Sequence, residues 1–101
     1  TCSMQTYLAL AKHTTEAKQK IESMPQWHEN MRDTVGQVDG EVLDTYHGSI
    51  EDYDAVIVFK LPDGRSSEQA RLLLERDGTH EVEISEVFGH DEYREFVEEL
   101  P

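Results

Sequence analysis

Five consecutive apolar residues, 55–59 (AVIVF), constrain the fold more than any other part of this chain. Successive side chains of a strand point to opposite faces, so a strand over this stretch needs both of its faces covered. Residues 41–47 predict a preceding strand of mixed character. Gly48, Ser49 and residues 52–54 supply turn-forming residues between the two segments. The pattern predicts a hairpin whose second strand lies in the interior of a sheet.

Two further segments are predicted to complete that sheet. Residues 5–12 carry apolar side chains at both odd and even positions, which indicates a second interior strand. Residues 79–88 alternate: His80, Val82 and Ile84 share one face and charged or polar residues share the other. Such alternation is typical of an edge strand with one solvated face.

Apolar residues at helical spacing predict three helices between and after these strands. The first covers residues 14–36 and is expected to be broken near Pro25, because proline is unfavourable inside a helix. The second is predicted to open at Ser66 and to stop at Gly78, and the last to be capped by Asp91.

The resulting order, β-α-β-β-α-β followed by a C-terminal helix, predicts an α+β fold of the ferredoxin-like sandwich type. We expect a four-stranded antiparallel sheet with strand order 4-1-3-2 and both main helices on one face. The opposite face would then expose apolar residues such as Val56 and Val58. Because apolar patches of that size rarely stay exposed, we expect a twofold homodimer through the open sheet face.

The length of 101 residues fits one domain, residues 1–101, in which the three residues before Met4 are interpreted as a possible cloning remnant. The 22 acidic and 9 basic residues give a net charge of −13, which disfavours binding to nucleic acid or to anionic membranes. Acidic residues spread along the whole chain indicate adaptation to a salt-rich cytoplasm, the alternative being an ordinary acidic mesophilic protein.

The single cysteine, Cys2, excludes an intrachain disulfide. No apolar stretch is long enough to span a membrane, and the N-terminal residues lack an apolar signal segment. We therefore expect a soluble, reduced, cytoplasmic protein.

Several short motifs resemble those of the GYD-domain proteins, which are similar to members of the dimeric α+β barrel superfamily. Residues 52–54 (Asp-Tyr-Asp) stand where that family carries Gly-Tyr-Asp, so the first glycine is replaced here. Other matching positions are Tyr7, Leu8, Ala9, Leu10, Thr14, Pro25, Tyr46, a displaced Gly48, Pro62, Asp63, Phe88, Tyr93 and Phe96. The resemblance covers about residues 4–97 and implies a dimeric α+β barrel, but it implies no activity.

Six residues are candidates for binding a small organic ligand: Tyr7, His13, Trp27, Tyr46, His47 and Tyr53. His13 and His47 end two strands that run parallel on either side of a third, so we expect both near one edge of the sheet, with His28 leaning towards them. Each candidate also has a structural interpretation. The histidines could be solvated loop ends, Tyr53 and Asp54 could stabilise the turn, and Trp27 could belong to the core.

A metal site is not predicted, because no two histidines have ligand spacing on a helix and no His-x-His or Cys-His cluster occurs. No cofactor and no catalytic residue is assigned, since there is neither a glycine-rich phosphate loop nor a Ser-His-Asp arrangement. The preferred hypothesis is a non-enzymatic dimer that binds a small organic molecule.

Two alternatives remain open. One is a small cofactor-independent enzyme of monooxygenase or isomerase type, using His13, His47, Tyr46 and Tyr53. The other is an acidic protein-interaction or regulatory module. A deep pocket lined by Tyr7, Trp27 and His47 would favour ligand binding or catalysis, whereas a solid core would leave the interaction module.

Overall fold

The computed structural model describes residues 4–101, so the interpretation of the first three residues and of Cys2 lies outside the described part of the chain. The elements follow in this order: β1 (Gln5–His13), α1 (Thr15–Gln19), a 3₁₀ turn (Ile21–Ser23), α2 (Met24–Gly36), β2 (Glu41–Ile50), β3 (Tyr53–Leu61), α3 (Gly64–Glu75), β4 (His80–Glu86) and α4 (His90–Glu98).

The four strands form one antiparallel sheet in the order β2-β3-β1-β4. This confirms the predicted strand order and the α+β, ferredoxin-like class. The two strands predicted to be interior, β1 and β3, pair with each other over seven consecutive positions, including Ala9 opposite Ile57. The alternating strand β4 lies at one edge, beside β1.

The hydrophobic core lies between one face of this sheet and the helices α2 and α3. Strand β3 contributes Ile57, Phe59 and Leu61, all completely inaccessible to solvent. Helices α2 and α3 contribute inward residues at helical spacing, among them Met31 and Leu74. Burying side chains of this size stabilises the fold by roughly 1.5–3 kcal/mol each, so this layer fixes how the helices sit on the sheet.

The hairpin between β2 and β3 differs from the prediction. Gly48 and Ser49 do not form the turn but continue β2 as far as Ile50, and the turn consists of Glu51 and Asp52. The pairing register shifts by one residue between His47 and Ile50, so Gly48 and Ser49 together lie opposite one residue of β3. Glu51 adopts a left-handed backbone conformation with φ of 54°, which closes the turn.

The start and the break of the first helical segment agree with the prediction. The Thr14 side chain accepts a hydrogen bond from the backbone N–H of Ala17 at 3.2 Å, which caps α1. The segment then breaks at the 3₁₀ turn, and Pro25 lies in the first turn of α2, where its missing N–H costs nothing.

Two helix starts lie earlier than predicted. Helix α3 is capped by Asp63, whose carboxylate accepts from the backbone N–H of Ser66 at 2.9 Å, so Ser66 is inside the helix. Helix α4 starts after Gly89 rather than Asp91, and the Glu92 carboxylate accepts from the backbone N–H of Gly89 at 3.2 Å. At α3 a carboxylate earlier in the sequence provides the cap, and at α4 the N-cap residue is a glycine, so the Glu92 side chain provides the capping hydrogen bond.

The second sheet face carries no helix of residues 4–101. Its centre consists of four half-buried aliphatic side chains, from Leu8, Leu10, Val56 and Val58. The rim is polar and includes Asp44 and Glu83, which lie opposite Val58 and Leu10. We call this surface the open sheet face.

Helix α4 also leaves an apolar surface uncovered. All of its residues are described, and none is buried. Tyr93, Phe96 and Val97 are 43–60% exposed although they share one side of the helix. The radius of gyration of 14.8 Å exceeds the value of about 13 Å typical of a compact domain of this length.

None of the helices within residues 4–101 is long and apolar enough to cross a membrane.

Candidate functional site

Four histidines from four different elements meet at one end of the sheet. His13 ends β1 and is paired directly with His80, which begins β4. His28 lies on the inward side of α2, on the same stripe as Met24, Met31 and Val35. His47 lies on β2 opposite Ala55 of β3. Strand pairing and the helical repeat therefore bring together residues that are far apart in the sequence.

The imidazole rings are close enough to contact one another. The ring centroids of His13 and His80 are 4.9 Å apart, and those of His28 and His80 are 5.4 Å apart. His47 packs edge-on against His28 at 4.5 Å. One nitrogen atom from each of His13, His28 and His80 lies within 4.8 Å of the other two. We refer to His13, His28 and His80 as the histidine triad.

Two rings of the triad are buried, the third is half-buried, and the triad makes few hydrogen bonds within residues 4–101. His80 is 1% exposed and His28 is 7% exposed. Four of their ring nitrogens are buried without a hydrogen-bond partner in residues 4–101: Nε2 of His13, both nitrogens of His28 and Nε2 of His80. A buried polar atom without a partner costs roughly 1–3 kcal/mol, so this cluster is expensive for the protein.

Burial keeps two of these imidazoles neutral. Desolvation, followed by repulsion from His47, His80 and His13, lowers the pKa of His28 to about 4. Desolvation and the neighbouring His13 also lower the pKa of His80 to about 4, although Asp77 and Asp54 act in the opposite direction. At neutral pH both rings therefore carry a free nitrogen lone pair, which is the form that accepts a hydrogen bond or binds a cation.

A chain of hydrogen bonds fixes the orientation of His80. The Thr79 hydroxyl donates to Oδ1 of Asp77 at 2.7 Å, so it accepts from Nδ1–H of His80 at 2.9 Å. The Nε2 of His80 is then the atom with the lone pair. Trp27 donates from Nε1 to the second oxygen of Asp77 at 2.8 Å and stacks on His80 at a centroid distance of 3.8 Å.

Asp77 is ionised in this arrangement. Burial would raise its pKa, but the hydrogen bonds from Thr79 and Trp27 outweigh burial and lower the pKa below its ordinary value. A carboxylate that accepts hydrogen bonds from both Thr79 and Trp27 holds the hydroxyl and the indole in fixed positions. The orientation of His80 is thus set by its contacts with Thr79 and Trp27, both of which Asp77 holds in place.

His13 has a similar relation to Asp54. The Asp54 carboxylate accepts from the backbone N–H of His13 at 2.9 Å, and the same oxygen lies 4.0 Å from Nδ1 of the His13 ring. The carboxylate therefore faces the Nδ1 side of the ring, and the buried Nε2 lies on the opposite side. Asp54 is a residue of β3 and not of the turn, so it positions His13 rather than capping the turn backbone.

A cavity of about 570 Å³ opens beside the triad. His13, His28 and His47 form its polar wall together with Asp54, and Ile21, Met24 and Pro25 form its apolar wall. Gly48 and Ser49, the residues absorbed in the strand irregularity, line it as well. Its size lies within the range of pockets that hold small organic molecules, about 300–1,000 Å³.

The structure brings two of the six predicted ligand-binding residues, His13 and His47, to this cavity. Trp27 lies behind it, stacked on His80. Tyr7 is buried in the core beside Phe59, and its hydroxyl donates to Gln5 at 2.7 Å. The Tyr7 hydroxyl thus has a partner within its own strand.

Tyr46 and Tyr53 also lie apart from the cavity wall. The Tyr46 hydroxyl donates to Asp44, and Tyr46 is opposite Val56, on the open sheet face. The Tyr53 hydroxyl donates to Glu83. The four side chains considered for an enzyme, His13, His47, Tyr46 and Tyr53, therefore do not converge on one site.

The residues that complete the site, His28, His80, Asp54 and Asp77, were not among the predicted ligand-binding residues. A signal for two of them is present in the sequence. His28 falls on the apolar stripe of α2, and His80 shares the inward face of β4 with Val82. A histidine on an inward face is either a satisfied core residue or a functional group, and neither of these two rings has all of its nitrogens paired within residues 4–101.

The fold and the site define a small α+β protein of ferredoxin-like topology with buried imidazoles at one end of its sheet. The sequence profile of the GYD domain family matches residues 7–97, and the chain belongs to this family. The resemblance seen in residues 52–54 and the surrounding motifs is thereby confirmed. No curated protein matches the sequence.

Proposed function

We propose that this GYD-domain protein is a homodimer that binds a small organic molecule in the cavity beside the triad. The observation that supports ligand binding most directly is the composition of that cavity. Apolar side chains of Ile21, Met24 and Pro25 line it together with imidazoles, some of whose nitrogens have no partner in residues 4–101. Ligand pockets combine apolar surface with a few convergent polar groups in this way.

The walls define the chemistry of the ligand. Its body is apolar and packs against Met24 and its neighbours, and one end carries a hydroxyl or another group that donates to an imidazole nitrogen of His28 or His13. Donation to these rings satisfies nitrogens that are otherwise buried without a partner. Small phenols and aromatic hydroxy acids have this combination of an apolar ring and a hydroxyl donor.

Binding is testable with the single tryptophan of the chain, because Trp27 packs edge-on against His28 with ring centroids 4.9 Å apart. We expect a set of small phenols and aromatic hydroxy acids to contain members that change the Trp27 fluorescence in a saturable way. The amide signals of Met24, His28 and His47 should shift in the same titration by NMR.

Gly48→Phe is designed to fill the cavity. Gly48 lines it, and a Cβ added at this position meets nothing within 4 Å, so a side chain can begin there without a clash at its first atom. Gly36→Phe is the matched control, because Gly36 has equally free space but lies at the end of α2, outside the cavity lining. Binding should be lost in the first variant and retained in the second. Equal binding in both variants would contradict the proposal.

The dimer is proposed to form between the open sheet faces of two copies. The four aliphatic side chains at the centre of this face, including Leu10 and Val58, form an apolar patch with a polar rim, which is the usual anatomy of an interface. A second copy is the partner that presents the same patch, and twofold symmetry makes it self-complementary. The exposed apolar side of α4 supplies further surface for the same partner.

Electrostatics makes this dimer sensitive to salt. Each copy carries a net charge of −13, so two copies repel each other until salt screens them, with a Debye length of about 10 Å at 0.1 M. Sedimentation in concentrated KCl should therefore give about twice the protomer mass of 11.6 kDa.

Val58→Lys, at the centre of the open sheet face, should give the monomer. Gln69→Lys adds the same charge to the exposed side of α3 and should leave the dimer intact. A wild-type monomer in concentrated salt would contradict the proposal.

A further inference from the structure

We propose that the histidine triad is a binding site for a transition-metal ion, with Zn²⁺ as the ion that fits it, held by one nitrogen each of His13, His28 and His80. The proposal stands on the convergence of two buried imidazoles, from α2 and β4, and one half-buried imidazole, from β1. It goes beyond the organic ligand of the cavity, because the ion would bind whether or not such a ligand exists.

The distances are those of a site that needs only small side-chain movements. The three nitrogens lie within 4.8 Å of one another. Tetrahedral Zn²⁺ with Zn–N bonds of 2.0–2.1 Å needs nitrogen–nitrogen distances of about 3.3 Å. Changes in the side-chain torsions of the three residues would have to bring these nitrogens closer by up to about 1.5 Å.

The nitrogens available to the ion are those that lack a partner. Nε2 of His13 and Nε2 of His80 are buried without a hydrogen bond among the described residues, and so are both nitrogens of His28. Each Zn–N bond would occupy one of these lone pairs. A solid aromatic cluster would explain the burial of the rings, but it would leave these four nitrogens without a partner among the described residues.

The groups behind two of the rings are those that support histidine ligands in metal sites. Metal-binding histidines commonly donate their second ring N–H to a carboxylate, a carbonyl or a hydroxyl, which fixes the ring and its tautomer. His80 has the hydroxyl of Thr79, itself bonded to Asp77. His13 has the carboxylate of Asp54 on its Nδ1 side. Both carboxylates also place negative charge beyond the rings, which favours a cation.

The fourth coordination position would face the cavity, because His13 and His28 both form part of its wall. Three imidazoles with an open fourth position are typical of zinc sites that bind a water molecule or a substrate. His47 packs on His28 but is exposed, and its place at the mouth suits contact with the molecule in the fourth position rather than ligation.

The experiment uses Co²⁺, whose tetrahedral complexes absorb visible light, on the full chain after removal of metals with a chelator. We expect the absorbance to saturate at one Co²⁺ per chain, and one equivalent of Zn²⁺ to abolish it. His80→Gln and His28→Gln should each lose the spectrum. His90→Gln is the matched control, because His90 begins α4 and is exposed.

A further variant tests the supporting groups without removing a ligand. Thr79→Val removes the hydroxyl that accepts from His80 and keeps a similar shape, so we expect metal affinity to fall by about 10- to 100-fold. If His80→Gln fails to fold, Thr79→Val and His28→Gln still decide the assignment.

Two results would overturn the proposal: no saturable Co²⁺ spectrum with the wild-type chain, or a spectrum that is unchanged in His28→Gln and Thr79→Val. The outcome is independent of the organic ligand, since the titration contains none. Failure of the phenol titration with a positive Co²⁺ titration would remove the proposed function and leave the metal site.

Discussion

Lowering the pH from 7 to 5 should destabilise the metal-free protein through His28 and His80. Both rings are neutral in the folded protein, where burial and neighbouring imidazoles lower the pKa of each to about 4. In the unfolded chain a histidine has an ordinary pKa of about 6.5. Between these two pH values the unfolded chain binds more protons than the folded one, so the free energy of unfolding falls as the pH falls.

The size of this loss follows from the two pKa values. At pH 5 the unfolded imidazole is almost fully protonated and the folded one is mostly neutral. Proton linkage then gives a loss of about 2 kcal/mol for each ring, which increases to about 3 kcal/mol below pH 4 and disappears above pH 7. The combined loss of unfolding free energy is smaller than twice the loss for one ring. The reason is that part of the pKa shift of His28 is repulsion from His80 and the other imidazoles.

The interval between pH 7 and pH 5 separates the protonation of the imidazoles from that of the carboxylates with lowered pKa values. Asp54 and Asp77 partly oppose the pKa shift of His80. Asp77, Asp63 and Glu68 have lowered pKa values, so they lose their protons well below this interval. The decrease between pH 7 and pH 5 should therefore come mainly from imidazoles.

Urea denaturation at fixed protein concentration, in concentrated KCl with a chelator, measures this effect at several pH values. We expect the wild type to lose about 2–4 kcal/mol between pH 7 and pH 5, and His28→Leu to lose distinctly less. His90→Gln, which removes an exposed histidine, should behave as the wild type. A wild-type stability that is constant over this range, or an equal decrease in His28→Leu, would refute the reasoning.

Two further substitutions test the fold around the site by urea denaturation. Gly40→Ala should destabilise the protein by about 1–3 kcal/mol. Its Cβ would lie 2.6 Å from side-chain carbons of both Leu61 and Val35, whereas Gly36→Ala, where nothing lies within 4 Å, should be neutral or slightly stabilising. Similar stabilities for these two variants would show that the Gly40 region can rearrange. Thr14→Ala should cost about 1 kcal/mol, because it removes the cap of α1 and the 2.7 Å hydrogen bond to the Gly78 carbonyl. Thr15→Ala, one residue later and exposed, should cost less, and an equal cost would mean that the cap contributes nothing.

The sheet could be predicted because its determinants are periodic and local. Residues 55–59 are apolar without interruption, and β3 indeed has a strand on each side. The alternation of His80, Val82 and Ile84 likewise marks β4 as an edge strand. The position of the β2–β3 turn could not be predicted in the same way. Gly48 and Ser49 have turn composition, and only the pairing with β3 decides that they extend the strand.

Only those residues of the site could be predicted whose position follows from the directions of the strands. His13 and His47 were expected near one edge because their strands run parallel across β3, and both line the cavity. The contact between His13 and His80 depends on the register of β1 against β4, which pairs residues 67 positions apart. No local spacing encodes that register, so a search for adjacent ligand pairs in the sequence finds no metal site here.

The energetics of the triad argue for a role other than stability. Three imidazoles with four buried nitrogens that have no partner within residues 4–101 occupy a place where aliphatic side chains would pack without a desolvation cost. The surrounding positions obey ordinary packing rules, since Met31, Val35 and Val82 fill the same layer with apolar groups. A local conflict inside an otherwise consistent core is expected at functional sites. Trp27, Thr79 and Asp77 hold His80 in one orientation, so specific contacts keep its ring in this unfavourable environment. A bound ion or ligand would give the buried nitrogens the partners that they lack within residues 4–101.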